Sequence, residues 1–192
     1  MTLLVVLAAP AFAQQTDQPP GDPFRKGETE WGLLAGIDSA MDIWAGLPDS
    51  EFWSLGLRLS HVVTGPIFAG PCRGNLVLSA EVNPLVIFHD DYGSTYAFSA
   101  TGMMRYYFTP GARVRPFISA GGGIVLSAQP IPHDISRVNF TPQGGGGLAF
   151  SLRKGTVLSM EYRLHHMSDG ILTTYNPGVN SSEFLLGISW TR

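Results

Sequence analysis

The 192-residue sequence has a single cysteine, Cys72. No intramolecular disulfide can form, and neither a CxxC redox motif nor a cysteine-based zinc cluster can be built. Charge is scarce as well: 14% of residues are charged, the net charge is −3, and lysine and arginine nowhere cluster. Nucleic-acid binding needs a basic patch to neutralise phosphates, so that class is set aside. No uninterrupted apolar run reaches the roughly 18–20 residues of a membrane-spanning helix, and helical periodicity is nowhere sustained. His61, His89 and His133 are scattered without ligand spacing, so no metal centre is expected.

What is present pulls the other way. Hydrophobic residues make up 44% of the chain beside 23 glycines and 14 prolines, and the mean hydropathy is slightly positive. That is too apolar for a typical soluble surface. A membrane β-barrel resolves the conflict, because outward apolar residues alternate with inward polar ones and no single segment looks like a helical span. Strand-like segments recur at 29–38, 51–63, 75–88, 95–108, 116–128, 138–152, 156–167 and 181–191. Alternation is clearest in 95–108, where Thr95, Ala97, Ser99, Thr101 and Arg105 interleave with Tyr96, Phe98, Ala100, Met104, Tyr106 and Phe108. The glycine tracts 121–123 and 144–147 allow tight curvature and close backbone approach.

The sequence therefore predicts an all-β fold, an eight-stranded antiparallel up-and-down transmembrane β-barrel over 28–192. Residues 1–13 read as a signal peptide: an apolar stretch from Leu3 to Ala9, then the small-x-small pattern Ala11-Phe12-Ala13 before Gln14. Residues 14–27, rich in Gln, Pro, Gly and Asp, read as a disordered lead-in. With both termini periplasmic, 39–50, 129–137 and 168–180 are external loops, and Pro110-Gly111 and Arg153-Lys154-Gly155 are internal turns. The connection Gly65 to Gly74 is longer than such a turn needs, and Trp190 fits an interfacial aromatic.

Chemistry concentrates in the seventh segment, where parity divides Val157 to Ser168 into two faces. Leu158, Met160, Tyr162 and Leu164 belong to the lipid face; continued by twos, that face reaches His166 and Ser168 at the external rim. Ser159, Glu161, Arg163 and His165 point inward, where they are expected to pair with Arg58, Glu81 and Arg105 and fill the lumen. Residues two apart on one face lie about 6–7 Å apart, and a bend at the strand end closes that gap. A base beside a hydroxyl is the minimum for nucleophilic catalysis, although such a pair at a rim is usually only solvated.

The segment His166-Met167-Ser168-Asp169-Gly170, followed by Asn176-Pro177-Gly178-Val179-Asn180, resembles the C-terminal signature of the lipid A 3-O-deacylase family, which are eight-stranded outer-membrane barrels. Phe140-Thr141-Pro142-Gln143-Gly144-Gly145 matches more loosely. The resemblance implies a serine esterase of the bacterial outer membrane that removes an ester-linked 3-hydroxyacyl chain from lipid A of lipopolysaccharide, with no metal or organic cofactor. Ser168 would be the nucleophile and His166 the general base. The family's acidic residue, fourteen positions beyond the histidine, is Asn180 here. An amide oxygen accepts from imidazole but lacks the charge that stabilises imidazolium. Glu183 is the alternative acid, yet its parity turns it inward. Asn176 and the backbone amides of Asp169 and Gly170 would form the oxyanion hole, Asp169 standing where the family has asparagine. Leu158, Met160 and Leu164 would meet the acyl tails. Asn180 keeps a second reading open, a noncatalytic small barrel with a structural or adhesive role; the sequence also leaves a homodimer open.

Overall fold

A computed structural model describes residues 22–41, 50–108, 112–152, 155–170, 172 and 178–191. The expected signal peptide lies outside the described residues, as does the first part of the lead-in. The strands are β1 (Thr29–Ala40), β2 (Glu51–Val62), β3 (Gly74–Asp90), β4 (Gly93–Phe108), β5 (Val114–Ser127), β6 (Val138–Phe140), β7 (Gln143–Ser151), β8 (Thr156–Met167) and β9 (Val179–Thr191). They pair in the order β4-β3-β2-β1-β9-β8-β7-β5, and the β4–β5 pairing closes the ring. β6 and β7 both pair with β5, so together they make one stave, and the barrel has the eight staves expected. Every pairing is antiparallel.

Period-two alternation explains both faces. On β2, Trp53, Leu55, Leu57 and Leu59 are exposed while Phe52, Ser54, Arg58 and Ser60 are buried. In water this arrangement would waste the hydrophobic effect; against hydrocarbon the middle of the strand exposes apolar side chains, with Glu51 and His61 at its two ends.

The lumen is filled in three layers. Near the chain ends sits an apolar cluster of Phe24, Val62, Val77, Tyr107, Phe117, Ala149 and Val157. Near the loops sits a second, with Phe52, Val86, Phe88, Ala97, Val125, Ile131, Met167 and Val179. Between them lies the expected charge network. Glu81 is bound by Arg58 at 2.8 Å, by Arg163 at 2.9 Å and by Arg105. Glu161 is bound by Arg163 at 2.8 Å, Arg58 at 3.1 Å and Arg105 at 3.4 Å, and it accepts from Ser119 Oγ at 2.7 Å. Glu183 lies 3.6 Å from Arg163. His165, expected in this network, turns to other partners described below.

Three expectations need adjustment. The lead-in is not loose from Asp22 onward: Asp22 pairs with Arg115 at 2.7 Å. Phe24 packs 4.4 Å from Tyr107 and 4.5 Å from the Arg115 guanidinium. This order comes from contacts far away in sequence, which composition cannot register. The sixth segment, expected to run unbroken over 138–152, breaks at Thr141-Pro142, where proline has no N–H for the ladder. The last strand begins at Val179 rather than 181, which brings Asn180 into the sheet opposite His166.

The long connection 65–74 is a folded turn. Ile67 bridges Gly74, a single 3-10 turn spans Gly70–Cys72, and the Tyr106 hydroxyl donates to the Cys72 carbonyl at 2.7 Å. Cys72 itself is exposed.

Candidate active site

His166 is the penultimate residue of β8, Ser168 follows one residue past the strand end, and Asn180 is the second residue of β9. Parity keeps His166 and Ser168 on the outer face, in line with the exposed Leu158, Met160, Tyr162 and Leu164. The imidazole Nδ1 lies 2.6 Å from Asn180 Oδ1, and its Nε2 lies 3.1 Å from Ser168 Oγ. An amide oxygen only accepts, so the ring carries its proton on Nδ1 and leaves the Nε2 lone pair for the serine hydroxyl. The site thus has the hydroxyl–imidazole–acceptor order that nucleophilic acyl transfer requires.

The broken sixth stave holds this strand end at two points. The His166 N–H donates to the Pro142 carbonyl at 3.0 Å. Phe140 and Ser168 exchange both backbone hydrogen bonds, at 2.7 and 3.1 Å. Two short segments on either side of Thr141 therefore hold the histidine and the serine separately. Gly178 closes the site from the other side: its φ is +69°, and a Cβ there would lie 2.8 Å from His166 Cε1. Side-chain reasoning passed over this glycine and the Thr141-Pro142 break; a proline inside an apolar alternation was the available signal.

The other sequence candidates divide. Glu183 is buried on the inner face beside Arg163, and Asn180 is the residue at hydrogen-bond distance from His166 Nδ1. Asp169 is wholly buried, turned away from the outer face, and its carbonyl accepts from the Leu172 N–H at 3.3 Å. Gly170 is exposed with φ +68°. Asn176 lies outside the described residues. Among the described residues no three His, Cys, Asp or Glu side chains converge to hold a metal.

On the inner face of the same strand end, His165 Nε2 meets Thr141 Oγ1. Its Nδ1 lies 3.4 Å from Asp38 Oδ1 and 3.4 Å from Ser181 Oγ, and Ser181 donates to Asp38 at 3.0 Å. These partners come from β1, β9 and the broken stave.

Comparison with known proteins adds a family to this geometry. The fold is similar to the crystal structure of the outer membrane enzyme PagL, with a TM-score of 0.61 and 20% identity over 81% of this chain and 97% of that one. It is also similar to Neisserial surface protein A, with a TM-score of 0.52 and 12% identity over 85% of this chain and 95% of that one. At these identities the likeness concerns the fold alone. No curated protein sequence matches the chain. The family model for lipid A 3-O-deacylase (PagL) matches residues 73–189, which is more than half of the chain. By that match this outer-membrane β-barrel belongs to the lipid A 3-O-deacylase (PagL) family.

Proposed function

We propose that this chain is a serine esterase that removes an ester-linked 3-hydroxyacyl chain from lipid A, using Ser168, His166 and Asn180. The observation that carries the reading is the hydroxyl–imidazole–amide chain on the lipid-facing surface, with 3.1 and 2.6 Å links. Ser168 Oγ attacks the acyl carbonyl carbon while His166 Nε2 takes its proton. The tetrahedral intermediate collapses, the sugar oxygen leaves, and His166 returns the proton to it. Water, activated by the same imidazole, then attacks the acyl-serine and releases the hydroxy acid.

The oxyanion needs preorganised donors. The Asp169 and Gly170 backbone amides, directly after Ser168, and the Asn176 side chain are the proposed donors. The acyl tails lie along Leu158, Met160 and Leu164, all exposed below the ester position. Entry is sideways from the membrane, because the lumen is filled by side chains. One chain supplies the whole array, so a homodimer is not required.

Mass spectrometry of lipid A after incubation with refolded protein in detergent tests the reading. The expected product lacks one hydroxyacyl mass. An unchanged mass over several lipid A types, from a demonstrably folded barrel, would leave the structural or adhesive role instead.

Asn180→Asp is expected to raise turnover about tenfold. The amide already fixes the ring tautomer, so a carboxylate adds only charge stabilisation of imidazolium, roughly 1–2 kcal/mol for a charge-assisted over a neutral bond. Initial rates of acid release check this, and an equal or lower rate would show that imidazolium charge is not stabilised at this position.

A further inference from the structure

Two hydroxyl–imidazole arrays stand back to back on one strand end. The outer one is Ser168, His166 and Asn180. The inner one is Thr141, His165 and Asp38, with Ser181 bridging the last two. We infer that the inner array is a positioning device for the outer, and that Thr141 and His165 set the geometry of Ser168 and His166. This rests on Ser168 and His166 being the acyl-transfer pair.

Adjacency in sequence makes the coupling direct. His165 precedes His166, Ser181 follows Asn180, and each pair projects to opposite faces of the same backbone. Clamping His165 and Ser181 inside therefore fixes the two backbone positions from which the outer imidazole and its acceptor extend. His165↔Ser181 and His166↔Asn180 are successive rungs of the β8–β9 ladder.

Thr141 ties the inner array to the outer one. It sits between Phe140, which holds Ser168, and Pro142, which holds His166. Proline cannot donate to the ladder at that point, so the break is a weak place in the sheet. Among the described residues, the bond between Thr141 and His165 is the one side-chain hydrogen bond from residues 140–142 to β8. Losing it frees the break to shift, and the Ser168–His166 distance shifts with it.

The inner array is not a second reaction centre. Thr141 is almost fully buried, and the inner cavity that it borders has about 30 Å³ of space, room for water but not for an ester.

The test compares Thr141→Val, Thr141→Ser and His165→Gln with wild type in detergent with lipid A, reading kcat and KM per folded molecule. Heat-modified mobility on a gel gives the folded fraction. Thr141→Val and His165→Gln are expected to lower kcat about 10²-fold, the cost of a misplacement near 1 Å, with KM within about twofold. Thr141→Ser, which keeps the hydroxyl, is expected to stay within a fewfold of wild type. The labelling rate of Ser168 by a fluorophosphonate should fall in parallel with kcat. A reduced folded fraction with unchanged kcat and labelling rate would make the array merely structural and overturn the inference. Wild type that neither deacylates nor labels at Ser168 would remove the esterase reading and this inference with it.

Discussion

Ser168→Ala and His166→Ala are each expected to slow release of the hydroxyacyl chain by about 10⁴-fold or more, the scale at which hydrolytic serine–histidine sites lose rate. In the proposed reaction serine supplies the attacking oxygen, and histidine is the single base within reach of it among the described residues, at 3.1 Å. His165, the neighbouring imidazole, faces inward and is bound to Thr141, so it offers no substitute. The double variant should be scarcely slower than either single one, because the two groups act as a unit. Time courses of lipid A mass spectra measure all three. A Ser168→Ala barrel that is folded and retains a tenth of the wild-type rate would end the serine esterase reading.

Glu81→Ala is expected to destabilise the barrel by about 3–5 kcal/mol, the usual cost of stripping a buried charge cluster of one partner. Its carboxylate is bound by three guanidinium groups, those of Arg58, Arg105 and Arg163, and is almost inaccessible. Removing it leaves Arg105, itself without exposed surface, with Glu161 as its remaining carboxylate partner. Urea unfolding of the refolded protein in detergent checks this against Glu51→Ala, an exposed rim change expected to fall within about 0.5 kcal/mol of wild type. If the two variants unfolded together, the lumen cluster would contribute nothing that apolar filling does not.

The barrel was legible in the sequence because strand parity is a local property. Eight alternating segments appear without knowledge of their partners, and the same parity separates His166 from His165 and Asn180 from Glu183. Spacing therefore put serine, histidine and amide on one face, while the family resemblance singled them out as a site. Three features were hidden because they depend on contacts far apart in sequence. Asp22 and Phe24 are ordered by Arg115 and Tyr107, from strands that arrive much later in the chain. The break at Thr141-Pro142 takes its meaning from Phe140 meeting Ser168. The tight seat of Gly178 exists only once β9 lies beside β8.

The charged middle layer also constrains how the protein can be assembled. Arg58, Glu81 and Arg105 come from β2, β3 and β4, whereas Glu161, Arg163 and Glu183 come from β8 and β9. By formal charge the first group has one surplus cation and the second one surplus anion. A half-inserted sheet of either group would hold its surplus against hydrocarbon, where an unpaired charge is costly. Among these six groups, balance arrives when the halves curl together and Arg58 and Arg105 reach Glu161. Entry into the bilayer and closure of the ring are therefore expected to be coupled, since closure is what brings these charges together.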